Sequence, residues 1–258
     1  MPAALTFDAY GGAIGSAATV LRANAGASAL EHRVPTCPEW TVRDLVLHQG
    51  MVHRWATTVV SGGPVTDGAD QLAEGAVAPD LLDWFDEGAT ALLQALSTAP
   101  ADLDVPFFLR DAGRPRDAWA RRQAHETTIH AVDAMAARLG RAPHAAEVWF
   151  PTDLALDGID ELLLGFLPRG RSPLRSPEPR TLRIAPAGAP HVYAVSISTE
   201  PPRTARVGAG ASGLPTDTDV SGTAKDLYLA LWNRGGDVEV TGDRTGVDLW
   251  HDQMRVSW

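Results

Sequence analysis

The spacing of apolar residues changes period along this 258-residue chain. Over roughly the first 150 residues they recur at helical intervals, and beyond about residue 180 they alternate as in strands. A helix buries one stripe and a strand buries one face, so this order predicts helices packed on helices first and a sheet afterwards. The expected fold class is α+β: a four-helix bundle over residues 1–150, then a smaller mixed α/β domain over residues 151–258. The boundary could fall as late as residue 170.

The firmest helix lies in "TCPEWTVRDLVLHQGMVHRWATTVV". Thr41 can cap it, with Asp44 three residues on completing a capping box. Val42, Leu45, Val46, Val52 and Val59 supply its apolar face. Pro79 and Asp80 open another helix, carrying Leu81, Leu82, Phe85, Leu92, Leu93 and Leu96. A loop over residues 100–115 leads to a helix from near Asp117 to Leu139, ended by Gly140. An alanine-rich stretch over residues 7–30, broken by glycines, completes a set of four. The interior of such a bundle is a common place for a metal site.

In the second half, "TDLALDGIDELLLGFLPR" reads as one helix burying Leu154, Ile159, Leu162, Leu163 and Phe166. "PRGRSPLRSPEPR" reads as a mobile linker or surface loop. Strands are expected at "TLRIAP", "HVYAVSIST", "RTARVG" and "DVEVTG". In the second of these Tyr193, Val195 and Ile197 oppose Val192, Ala194 and Ser196. "SGTAKDLYLALWNR" is an amphipathic helix among the strands. A Walker-type phosphate-loop pattern is absent.

A formal charge of -10 argues against a nucleic-acid surface. No run approaches the ~20 apolar residues that span a bilayer, and "MPAALTFDAYGGAIG" lacks the pattern of a signal peptide. The single cysteine, Cys37, excludes an internal disulfide and suits a reducing compartment. A cytoplasmic protein is expected, without nucleic acid or membrane partners. Oligomeric state has no signature here.

The segment "RRQAHETTIHAVDA" looks at first like a damaged zinc-protease helix. His125 and His130 are five apart, about 140° around a helix, and cannot easily share one ion. Glu126 and His130 are four apart, about 40°, and stack on one face. A carboxylate and an imidazole so placed form half of a metal site, although surface neighbours satisfy the same spacing. His48 follows Val42 and Leu45 on the apolar face of its helix. It is either a further ligand or a core histidine satisfied by a hydrogen bond. His53 is rotated well away, exposed or supporting the ligands from outside. His125 faces away from the pair. His32, His144, His191 and His251 read as surface residues, and Cys37 as a small packed side chain. Arg122, one turn before Glu126, either orients that carboxylate or forms an exposed pair with it.

"VPTCPEWTVRDLVLHQG" and "RRQAHETTIHAVDAMAARLG" together resemble the mycothiol-dependent maleylpyruvate isomerase family, and "VSGTAKDLYLALWNRGGDVEVTGD" with "RTGVDLWHDQM" resembles its second domain. The segments occur in the expected order and span nearly the whole chain. The resemblance implies a DinB-like bundle holding a divalent metal, usually zinc, on His48, Glu126 and His130. It also implies a functional arginine, best placed on Arg234, an external thiol (mycothiol) and an electrophilic small-molecule substrate. High Ala, Gly and Arg with little Lys fits an actinobacterial, GC-rich source for such a thiol. Three protein ligands leave one position on zinc open, and a thiol entering it is deprotonated. Addition of the thiolate to a conjugated cis double bond, rotation and elimination give a trans isomer. Addition alone gives a thiol S-transferase. A zinc-water hydrolase and a non-catalytic metal- or ligand-binding protein remain as other readings of the same residues. Pocket lining is expected from the loop "DVPFFLRDAGRPRD" and from the second domain.

Overall fold

Local caps set where the helices begin, each worth about 1 kcal/mol. In the computed structural model, which describes residues 5–109, 112–210 and 216–254, Thr6 accepts from the Ala9 amide at the head of α1 (Phe7–Gly26). Thr41 and Asp44 form the predicted reciprocal box at the head of α2 (Val42–Val60). A short helix the sequence reading missed, α3 (Ala69–Ala76), follows. Asp80 caps α4 (Leu81–Thr98) by accepting from the Leu82 and Asp83 amides. Pro115 opens α5 (Pro115–Leu139), whose missing amide proton costs nothing in the first turn, and Gly140 ends it with φ 69°.

These elements form one compact unit, Leu5–Pro143, in which α1 and α2 each pack on both α4 and α5. The result is a closed four-helix bundle. Ile14 and Leu21 of α1, Leu45 and Val59 of α2, and Phe85 and Leu92 of α4 are fully buried. Gly50 of α2 permits one close approach: a Cβ there would lie 2.2 Å from the Trp84 ring of α4. Arg54 stacks on that ring with its guanidinium carbon 3.9 Å from the centroid. Helix α5 differs from the other three. From Arg122 to Ala137 every residue is buried, polar ones included. A small antiparallel hairpin, β1 (Arg33–Val34) and β2 (Cys37–Thr41), runs directly into α2.

The second unit, from His144 onward, begins with α6 (Thr152–Asp160), which passes into a π-helical turn at Glu161–Phe166. The expected buried side, Leu154, Ile159, Leu162, Leu163 and Phe166, is buried. Five strands follow: β3 (Arg180–Pro186), β4 (His191–Ile197), β5 (Arg203–Gly208), β6 (Thr218–Gly222) and β7 (Glu239–Gly242). Their order is β5-β4-β3-β6-β7, with β3 and β6 parallel and the other pairs antiparallel. Tyr193, Val195 and Ile197 are buried as their alternation requires, whereas Ser196 is exposed. Helices α7 (Ala224–Leu231), capped by Thr223, and α8 (Thr245–Gln253) pack on β3 and β6. The α+β class stands.

One reading needs correction and another is narrowed. "TDVSG" is strand β6, short and polar enough to have passed for the approach to α7. The arginine- and proline-rich stretch is the surface loop of the two expected alternatives, but it is fastened to the fold: Leu174 is fully buried and Ser172 and Ser176 are buried. Arg175 N–H donates to Gln253 Oε1 at 2.7 Å, and Gln253 Nε2 donates back to the Arg175 carbonyl.

Candidate metal centre

Helix α2 contributes His48, and α5 contributes Glu126 and His130 one turn apart. All three are buried, and their ligating atoms lie within 4.8 Å of one another. His48 Nε2 is 3.5 Å and His130 Nε2 is 3.3 Å from the same carboxylate oxygen, Glu126 Oε1. The two imidazoles meet edge to face, centroids 5.0 Å apart. Metal–ligand bonds of about 2.1 Å at tetrahedral angles place ligand atoms about 3.4 Å apart. The observed separations therefore suit one shared ion. Glu126 Oε1 is buried yet makes no hydrogen bond among the described residues, an arrangement that costs stability unless a cation compensates it.

The surroundings hold this carboxylate in one orientation. Arg122, itself 1% exposed, donates from Nη2 to Glu126 Oε2 at 3.2 Å, leaving Oε1 for the imidazoles. The Arg122–Glu126 pair is buried, not exposed. Burial by itself would raise the Glu126 pKa, but the contacts with His130 and His48 and the Arg122 charge outweigh it and hold it below the usual carboxylate range. Burial lowers the pKa of His48. His130 is also pushed down by burial, but the Asp133 hydrogen bond and the nearby Glu126 carboxylate prevail and raise it. The site thus combines an ionised carboxylate, an imidazole kept neutral and a second imidazole in a field that attracts positive charge. A divalent cation would answer that field more strongly than a proton.

Residues that the sequence reading did not single out complete the centre. Trp40 of β2 is half-buried and lies over both imidazoles, 4.8 Å from His48 and stacked 5.6 Å from His130. Asp133 is buried and takes a hydrogen bond from His130 Nδ1 at 3.0 Å. The spacing His130-x-x-Asp133, on one helical face, was the available sequence signal for it.

Other predicted residues lie elsewhere. His53 is fully buried, not exposed, with Nε2 2.9 Å from Thr127 Oγ1 and 2.8 Å from Gln49 Nε2. Its ring also lies against Phe85. Burial depresses its pKa to about 3, so it stays neutral. His125 is fully buried. His32, His144 and His251 are exposed as expected. His191 is buried against Tyr193, contrary to the surface role expected of it. Cys37 is half-buried, its Sγ 3.6 Å from Asp133 Oδ2. Arg110 and Asp111 of the expected pocket loop lie outside the described residues. Arg234 belongs to the second unit, just past the end of α7. Its amide donates to the Leu229 carbonyl and its Nη1 to the Trp232 carbonyl. The neighbouring backbone is unusual: Asn233 has φ 58°, and Gly235 and Gly236 have φ 97° and 88°. A side chain at Gly236 would collide with the Asp226 carbonyl, and the Asp237 amide donates to Asp226 Oδ1. Among the described residues Asn233 is the one non-glycine residue with positive φ, and such positions cluster at functional sites.

Comparison with known proteins places these observations in a family. The profile for the mycothiol maleylpyruvate isomerase N-terminal domain matches residues 12–135, and that for the MDMPI C-terminal domain matches residues 153–248. Two crystal structures share the fold. One is a histidine-to-alanine mutant of the mycothiol-dependent maleylpyruvate isomerase, with TM-score 0.62 and 16% identity over 92% of this chain and 93% of that one. The other is the mycothiol-dependent maleylpyruvate isomerase, with TM-score 0.61 and 15% identity over the same shares. Sequence comparison with curated proteins gives no match.

Proposed function

Since the chain belongs to the mycothiol-dependent maleylpyruvate isomerase family, we propose that it is a metal- and thiol-dependent isomerase of small electrophilic molecules. The observation that carries this reading is the buried convergence of His48, Glu126 and His130 on one point. His and Glu donors suit zinc, and they accept other first-row divalent ions as well. When bound, such an ion supplies the Lewis acidity that favours the thiolate form of an incoming thiol.

The chain's own residues would do the rest. His48 and His130 offer neutral nitrogens, and Glu126 offers the balancing charge. Arg122 keeps the carboxylate from turning away. Trp40 shields one side of the imidazoles from water. Arg234, the arginine that the family resemblance singles out, would supply a charged donor for a carboxylate of an anionic substrate. The thiolate of mycothiol adds to one carbon of the conjugated cis double bond, and the electron pair moves to the carbonyl oxygen. The former double bond rotates. Return of the electron pair re-forms the alkene as trans and expels the thiolate.

The test is incubation with mycothiol and a panel of conjugated cis-enoyl acids, followed by mass and chromatographic analysis. Thiol-dependent isomerisation supports the proposal. Accumulation of a stable thiol adduct would move the reaction to S-transfer, and hydrolysis or hydration products formed without thiol would move it to water activation. Arg234→Ala should lower isomerisation roughly 10²-fold, as loss of a charge-stabilising donor does, while metal content stays unchanged. Equal activity would place the anion contact elsewhere.

A further inference from the structure

Asp133 is a fully buried carboxylate whose hydrogen bonds reach in two directions. Its Oδ2 lies 3.0 Å from His130 Nδ1, and its Oδ1 accepts from Thr36 Oγ1 at 2.5 Å. Thr36 sits between the two strands of the β1–β2 hairpin, next to Cys37, whose Sγ is 3.6 Å from Oδ2. An ionised carboxylate offers only acceptors. The proton of a neutral His130 must therefore be on Nδ1, and the lone pair on Nε2. Nε2 is the nitrogen 3.3 Å from Glu126 Oε1, on the side that faces His48.

We propose that Asp133 is a positioning residue of the metal centre. It fixes the tautomer and ring plane of His130, and the hairpin in turn fixes Asp133 through Thr36. This inference rests on reading His48, Glu126 and His130 as ligands, and extends the centre to a segment 97 residues away in sequence. The same hairpin carries Trp40, which stacks on His130 from the other end of β2. Ring orientation is thus held at two points: a hydrogen bond at Nδ1 and an aromatic face against the ring. A supporting carboxylate of this kind raises the basicity of the ligand nitrogen, and its loss typically weakens metal affinity about 10–100-fold.

The experiment is a Co2+ titration of the purified full chain, read by visible absorption, with thermal unfolding of the metal-free protein recorded in parallel. Wild type, His48→Ala, Asp133→Ala, Asp133→Asn and Thr36→Val are compared. Asp133→Ala should bind Co2+ about 10–100-fold more weakly, with an altered spectrum. Asp133→Asn should recover part of the affinity, because its amide oxygen can still accept from Nδ1. Thr36→Val should weaken binding a few-fold, and it carries the test if Asp133→Ala fails to fold. Unchanged affinity and spectrum in Asp133→Asn and Thr36→Val, with only the melting temperature lowered, would make Asp133 a hairpin anchor and overturn the proposal. Wild type that binds no Co2+, or His48→Ala that binds it equally well, would instead overturn the ligand assignment on which the proposal rests.

Discussion

Each of the two units buries a cluster of charged side chains, and the clusters treat their charge in opposite ways. In the second unit, Asp160 is met by Arg206 Nη1 at 3.1 and 2.9 Å on its two oxygens and by the Tyr193 hydroxyl at 3.0 Å. Tyr193 and Arg206 are register partners on β4 and β5, so both reach the carboxylate together. His191 Nε2 lies 3.1 Å from the Tyr193 hydroxyl. That network closes on itself and ties strands to helix α6. In the bundle, Arg122 satisfies one oxygen of Glu126, while the other faces two imidazoles and has no hydrogen bond among the described residues. Buried charge therefore does not by itself mark a functional site. An acceptor left open between converging donors does, because its cost must be offset by something that binds.

This contrast can be broken or sharpened by substitution. The largest effect is expected from His48→Ala: metal content after dialysis, measured by mass spectrometry, should fall by more than the ~10–100-fold that a supporting residue costs. The helical circular dichroism should be retained. Metal retained at wild-type level would erase the difference between the clusters.

The next effect is one of pH. His53 is buried in the same helix as His48, but enclosed by Thr127, Gln49 and Phe85. Its folded pKa of about 3 lies below the unfolded value of 6.5. The unfolded chain therefore takes up a proton first as pH falls. His53 makes its full contribution above pH 6.5, and stability is then lost at about 1.4 kcal/mol per pH unit until the pH nears the folded pKa. His53→Gln should remove that share of the slope in urea unfolding between pH 6.5 and 4.5. An identical slope would mean that His53 takes up a proton readily in the fold.

The smallest effect concerns the closed network. Asp160→Ala should cost about 2 kcal/mol of unfolding free energy, the range for hydrogen bonds to charged groups, with metal content untouched. Arg206 is partly exposed, which keeps the penalty below that of a wholly buried pair.

How much of this could be read from the residues follows from how local each feature is. The capping box of Thr41 and Asp44, the Gly140 stop and the Glu126–His130 stacking need only a few adjacent residues, and all stood in the sequence. His48 required one further step, from its apolar neighbours to the bundle interior. His53 is buried rather than exposed because helix α2 packs on both α4 and α5, which widens its buried face enough to enclose His53 between Phe85 of α4 and Thr127 of α5. Thr36, Trp40 and Asp133 come together only after the hairpin folds back on α5, and no periodicity encodes that contact. Arg234 stood out in the sequence only through the family resemblance. The positive backbone angles around it are a property of the folded loop, foreshadowed by the string Asn233, Arg234, Gly235, Gly236.

The central claim is that His48, Glu126 and His130 share one cation with a position left for sulfur. Cobalt-substituted protein tests it most directly, by absorption spectroscopy during addition of mycothiol. The account predicts one Co2+ per chain and a new sulfur-to-cobalt charge-transfer band that saturates with the thiol and is absent in His48→Ala. Thiol-dependent turnover with a cobalt spectrum unmoved by the thiol would contradict it.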